Sequence, residues 1–158
     1  MKRFLILNLT AFLIASTTYA QTGIDLSGPT HNSNQKVEVT ADNLTVQQAS
    51  NSAVFTGNAK VAQGDIRFGA DNITVQYDPN SQEITDILAT GNVVFTNGAE
   101  SAEAQTANYN VETNVVVLSE NVLLLQGNTA ISGDNLRLNL ATNQASVNGN
   151  VKTVFTPK

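Results

Sequence analysis

The stretch Ile66-Arg67-Phe68-Gly69-Ala70-Asp71-Asn72-Ile73-Thr74-Val75-Gln76-Tyr77 decides how this chain folds. Its inward candidates alternate at Ile66, Phe68 and Ala70, then resume at Ile73, Val75 and Tyr77. Period-two alternation is the pattern of a half-buried β-strand. Across Asp71-Asn72 the parity slips by one residue. A strand that slips must bend or bulge there, or its apolar set would leave the core face. The same slip occurs upstream, where Val37, Val39 and Ala41 give way to Leu44 and Val46. It occurs again downstream, where Ile131 and Gly133 give way to Leu136, Leu138 and Leu140. The sequence therefore predicts strands bent at each Asp-Asn.

These slips belong to a repeat. Its anchors are Ala41-Asp42-Asn43-Leu44, Ala70-Asp71-Asn72-Ile73 and Gly133-Asp134-Asn135-Leu136, with a degenerate copy at Ala104-Gln105-Thr106-Ala107. The second residues of the anchors stand 29, 34 and 29 positions apart. A second anchor follows each: Gly57-Asn58-Ala59, Gly91-Asn92-Val93, Glu120-Asn121-Val122 and Gly149-Asn150-Val151, at offsets of 15, 20, 15 and 15. Two anchors repeating in step mark a repeated supersecondary unit. Turn signals separate the strands at Gln63-Gly64-Asp65, Asn97-Gly98, Gln126-Gly127-Asn128 and Ala141-Thr142-Asn143. The longer second unit carries its insertion around Asp78-Pro79-Asn80-Ser81, a loop, because proline would break a central strand. About eight strands in meandering hairpins result, with no helical period after residue 20. Many inward positions are small, among them Ala41, Gly57, Ala59, Ala70, Ala89 and Ala107. Such residues either leave space between two sheets or let the sheets approach, and both readings stand at this stage.

The ends and the composition limit the function. Lys2 and Arg3, the apolar run from Phe4 to Ala15 and the small residues of Thr18-Tyr19-Ala20 form an export signal, with cleavage expected after Ala20. No cysteine follows to make a lipoprotein, and the chain has none at all, so stability must come from sheet and core. The expected organisation is a signal over 1–20, a flexible lead-in over 21–35 and one β-domain over 36–156. Without Lys2 and Arg3 the chain carries six basic against thirteen acidic residues, a net charge of −7. That balance excludes nucleic acid, which needs clustered Lys and Arg, and disfavours an anionic bilayer surface.

Catalytic and metal chemistry find no parts. With no Cys and a single His31 in the lead-in, nucleophilic or histidine-based catalysis lacks its usual groups. Asp42, Asp71 and Asp134 occupy equivalent repeat positions, which points to hydrogen bonding at a bend rather than to a carboxylate pair. They do not make a calcium ladder either, because the glycine-rich nonapeptide signature is missing. Asn43-Leu44-Thr45 and Asn72-Ile73-Thr74 match a glycosylation pattern but lie inside repeated strands.

Val54-Phe55-Thr56-Gly57-Asn58-Ala59-Lys60-Val61, Gln63-Gly64-Asp65-Ile66-Arg67-Phe68-Gly69-Ala70-Asp71 and Val115-Val116-Val117-Leu118-Ser119-Glu120-Asn121-Val122 resemble the LptA/OstA-like family of lipopolysaccharide-transport proteins. The resemblance runs from about Val37 to Val154, and Glu120 departs from it where the other units have Gly. It implies an all-β fold: an open, slightly twisted β-jelly roll, V-shaped in section, built from repeated antiparallel strand units. It also implies a periplasmic protein, with no enzymatic activity and no cofactor, that passes lipopolysaccharide from inner to outer membrane along a head-to-tail bridge. Partners of similar fold would stand in both membranes.

On that reading the inner face lines acyl chains, and each methylene it takes from water contributes ~0.8 kcal/mol. The expected contacts are Val37, Phe68, Phe95, Tyr109, Val111, Leu124 and Leu136. The basic residues Lys36, Lys60, Arg67, Arg137, Lys152 and Lys158 are scattered, so recognition should come from acyl burial with head groups left in water. Oligomer and partner edges are expected at Val37, Val39, Val151, Thr153 and Phe155. The competing reading is a structural or adhesive β-solenoid with a filled core and no lipid. A carbohydrate-binding sandwich would want exposed aromatic platforms, which six Phe, three Tyr and no Trp do not supply.

Overall fold

The computed structural model describes residues 24–25, 35–98 and 100–156. The expected export signal, His31 and most of the lead-in lie outside them. The strands are β1 (Ile24–Asp25), β2 (Val37–Thr40), β3 (Asn43–Gln47), β4 (Ser52–Gln63), β5 (Ile66–Tyr77), β6 (Ile84–Thr96), β7 (Glu100–Asn110), β8 (Val115–Gln126), β9 (Thr129–Asn139), β10 (Gln144–Asn148) and β11 (Lys152–Phe155). All pairings are antiparallel, in the order β1-β10-β9-β8-β7-β6-β5-β4-β2, with β3 also on β4 and β11 also on β9. β2 and β3 thus form one long strand broken at Ala41-Asp42, and β10 and β11 form another broken at Gly149 to Val151. Eight long bent strands in a simple meander are what the repeat predicts. β1 is an addition inside the expected lead-in.

Every long strand is interrupted at the same level. Thr56 and Ala59 of β4 face Asn72 and Ala70 of β5, so Gly57-Asn58 oppose Asp71 alone. The same two-against-one arrangement sets Gly91-Asn92 opposite Gln105 and Glu120-Asn121 opposite Asp134. The extra residue therefore belongs to the Gly-Asn strand, and it absorbs the parity slip of the Asp-Asn strand beside it. The expected bend at Asp-Asn is a joint feature of both anchors. Both bulge residues are left-handed: Gly57 and Asn58 have φ of 80° and 46°, Gly91 and Asn92 of 77° and 46°. Gly adopts this region without strain and Asn tolerates it.

One sheet exposes two faces, yet Ala59, Ile73, Leu118 and Leu136 are fully covered. Among the described residues only sheet and the short 3-10 turn Gln48–Ser50 exist to cover them. The sheet therefore folds over on itself at the line of bulges. One layer holds β3, β10 and the halves of β4 to β9 paired with them; the other holds β2, β11 and the remaining halves. The small inward residues Ala59, Ala70, Ala89, Ala104 and Ala107 border the bulges. Small side chains there permit the layers to approach at the crease. Larger side chains, such as Phe68, Phe95, Val75, Tyr109 and Leu124, lie farther out and fill the widening space.

Candidate functional site: an apolar track from edge to edge

Cross-strand register turns the repeat into rows that run along the sheet. In the first layer Leu44, Phe55, Ile73, Ala89, Ala107, Leu118, Leu136 and Val147 stand opposite one another in sequence. In the second layer Val39, Val61, Phe68, Phe95, Ala102, Leu124, Ile131 and Thr153 do the same. Eight strands at a spacing of ~4.8 Å make each row roughly 34 Å long. Its central members are buried. Its ends differ: Leu44 is 56% exposed and Val147 half-buried at the two ends of the first-layer row, and Val39 is half-buried and the polar Thr153 exposed at those of the second. The rows therefore reach both edges of the fold, and at one of them β1 pairs with Gln144 and Ala145 of β10.

Phe68, Phe95 and Leu124 share the second-layer row, Leu136 the first-layer row, and Tyr109 the adjacent row with Val75 and Val116. All five are buried. The rings of Phe68 and Phe95 meet at 5.0 Å between centroids with an interplanar angle of 55°. Burial raises the Tyr109 phenol pKa above its ordinary value. Val37 stands half exposed at the β2 edge. Val111 is half-buried and packs against the core, and it also lines a cleft of about 460 Å³ between the β5–β6 loop and the β7–β8 turn. Asp78, Glu83, Asp86 and Glu112 share that cleft. Asp86 Oδ1 accepts from Asn110 Nδ2 at 3.0 Å. The backbone N–H groups of Ser81 and Asn80 donate to Asp78 and lower its pKa.

The edge residues divide between the two ends. Val37 and Val39 lie in β2, and Thr153 and Phe155 in β11. Val151 precedes β11 and sits in the crease, so it takes no place in a ladder. The Asp42 N–H donates to Gly57 O at 2.9 Å, and the Thr156 N–H to Asn128 O at 3.0 Å. By strand alternation the N–H groups of Val37, Val39, Thr153 and Phe155 point away from the sheet, free to pair outward.

The repeat-equivalent aspartates are structural clasps. Asn58, Asn92 and Asn150 donate their side-chain amides to Oδ2 of Asp42, Asp71 and Asp134 at 3.1, 2.9 and 2.9 Å. The bond crosses strands, from the bulge to the aspartate of the strand that precedes or flanks it on the other side, rather than closing a local Asx turn. One carboxylate is buried at the rim of the second layer: Glu100 accepts from Gln126 Nε2 at 2.7 Å and from Asn97 Nδ2 at 3.1 Å. Sequence reading missed Glu100, because an inward polar residue at a rim breaks no pattern. Every Lys and Arg among the described residues is exposed. Among them no group of three or more His, Cys, Asp or Glu could hold a metal ion.

Comparison with solved structures finds the same fold. The chain superposes on LptH, the LptA homologous periplasmic component of the lipopolysaccharide transport device of Pseudomonas aeruginosa, with a TM-score of 0.71 and 18% identity. The match covers 78% of this chain and 96% of that one. The open all-β architecture is thus an LptA-like β-jelly roll. No curated protein sequence matches the chain. A family model described as "LptA/(LptD N-terminal domain) LPS transport protein" matches residues 38–144, from β2 into β10. The chain belongs to this LptA/LptD N-terminal-domain family of lipopolysaccharide transport proteins.

Proposed function

We propose that the protein carries lipopolysaccharide across the periplasm as one segment of a head-to-tail bridge from inner to outer membrane. The observation that carries this reading is the pair of apolar rows that reach both edges of the fold, with the exposed Leu44 and Val46 at one edge and the exposed Phe155 at the other. Copies joined edge to edge would prolong both rows, and partners of similar fold in each membrane would extend them to the start and finish of the path. Export with cleavage after Ala20 fits this site of action, as does LptH being a periplasmic component.

The chain acts as a carrier without cofactor, not as an enzyme. Acyl burial supplies the affinity: ten methylenes contribute roughly 8 kcal/mol when moved from water. The inner face offers no basic group to lipid phosphates, and the carboxylates around Val111 repel them, so head groups stay in solvent. Acyl chains reach Phe68 and Phe95 only when the layers part along the rim formed by the hairpin turns. Moderate affinity follows, because each chain replaces packing that already exists, and moderate affinity lets cargo move on.

Complete cover over Ile73, Leu118 and Leu136 also favours the second reading, a filled-core structural protein. A photo-crosslinker at Phe95 or Tyr109 distinguishes the two. In cells it should capture lipopolysaccharide at both positions and not at outward Asn58. Equal labelling at all three positions, or none at the inner two, would sink the carrier reading.

A further inference from the structure

β1 is two residues long, and it lies where the next copy should dock. It pairs antiparallel with β10, Ile24 opposite Ala145 and Asp25 opposite Gln144. β10 forms the first-layer half of the C-terminal edge; β11, its continuation in the second layer, pairs only with β9. The two halves of this edge are therefore unequal: the β11 half is open, and the β10 half is covered at its outer end, Gln144 and Ala145.

Strand parity decides what that cover does. Each layer of the meander holds eight strands when β1 is left out: β2 or β3 first, β4 to β9 next, and β10 or β11 last. In an antiparallel meander of even number the last strand runs opposite to the first. A second copy placed by simple repetition then brings its β3 antiparallel to β10 and its β2 antiparallel to β11, in both layers at once. With β1 in place the first layer has nine strands. The incoming β3 would meet β1 instead of β10, and would run parallel to it. β1 thus blocks the first-layer half of the joint by occupancy and by direction, while the second-layer half stays available.

We propose that β1 is a cap on the β10 edge, exchanged for β3 of a second copy when two molecules join. The proposal rests on the head-to-tail reading above and adds the contact that regulates it. The strand lengths favour the exchange, because β1 holds two residues and β3 brings five. Chain length permits the cap to come from the same molecule. The sheet order puts β1 and β2 eight steps apart, or ~38 Å at ~4.8 Å per strand. The link from Asp25 to Val37 reaches ~40 Å when fully extended. The cap would keep single molecules from presenting a complete edge, a hazard for any long exposed strand. An encounter could begin at β11 and finish at β10 as β1 leaves.

The test is a disulfide switch in the full mature chain, D25C/Q144C. Directly opposed residues of an antiparallel pair lie ~4.5–5.5 Å apart at Cα, within the range a disulfide bridges. The chain has no other cysteine. The oxidised protein should self-associate at least about tenfold more weakly than the same protein after reduction, a difference of ~1.4 kcal/mol. Reduction restores association and shows that the variant folds. I24P/D25P, which removes the β1 donors, should associate more tightly than the parent. Equal association of oxidised and reduced forms overturns the cap and leaves the bridge reading standing. Covalent ladders on a non-reducing gel overturn it too, because β1 would then be pairing between molecules. If no form associates at any concentration, I24P/D25P included, the head-to-tail reading fails and the cap falls with it.

Discussion

At the scale of single residues, the fold turns on left-handed positions and the groups that hold them. Asn supplies all the non-glycine examples among the described residues except Gln82 and Glu120. A Cβ added at Gly91 would run into the Asp71 carboxylate, and φ of 77° is unfavourable for an L side chain. Gly91→Ala should therefore cost ~1–3 kcal/mol in urea unfolding. Glu120 has φ of 68° at the position where the other units use Gly. Glu120→Gly should relieve that strain and stabilise the protein by about 0.5–1 kcal/mol, read from the same midpoint shift. Tyr109 adds a pH dependence. Its raised pKa means that the folded state resists ionisation, so stability holds below the unfolded value of about 10 and falls as pH rises past it. Tyr109→Phe should flatten that alkaline decline in denaturation measured against pH.

Elements fail or pair according to which N–H groups they leave free. Val39→Pro and Thr153→Pro each remove an outward donor at opposite edges while leaving the ladders to β4 and β9 intact. Each should lower self-association by at least about tenfold, a loss of ~1.4 kcal/mol, in sedimentation or light scattering. Val151→Pro, in the crease, should have a smaller effect. The hairpin turns show how much of this level the sequence carries. Gln63-Gly64-Asp65, Asn97-Gly98 and Gln126-Gly127-Asn128 are turns as expected. The turns at Asn51 and Asn114 went unread, although Asn143 closes an equivalent turn with the same left-handed backbone. Asn is common in this chain, and an Asn without a following Gly stands out too little to mark a turn.

For the whole molecule, the contact between copies is heterologous, since the β2–β3 edge meets the β10–β11 edge and neither meets itself. The two edge variants should therefore complement each other. Val39→Pro keeps a working C-terminal edge, and Thr153→Pro keeps a working N-terminal one. Each alone should remain monomeric at concentrations where a one-to-one mixture forms dimers that grow no further. Higher oligomers in the mixture, or dimers of either variant alone, would mean that the joint is not edge to edge. Cargo should follow assembly: inner-face crosslinking at Phe95 should pass between copies only in mixtures that join.

The amino-acid sequence by itself determined the strands, their bends, the inward set and the family, because alternation, turn chemistry and repeat spacing are local and act over a few residues. Phe68, Phe95, Tyr109, Leu124 and Leu136 are inward on parity alone. Only the tertiary structure decided what that inner face becomes. The small residues mark a crease because the bulges of successive strands align, and alignment is a property of register between strands. The Asp-to-Asn clasps join anchors of adjacent strands, which spacing hinted at without saying which residues touch. Val111 packs against the core and also borders an acidic cleft, because the β5–β6 loop folds beside its turn. β1 covers the far end of the sheet, a pairing between residues about 120 positions apart that no local pattern encodes. Contacts of that separation depend on where the whole meander brings its ends, and so they appear only in the folded molecule.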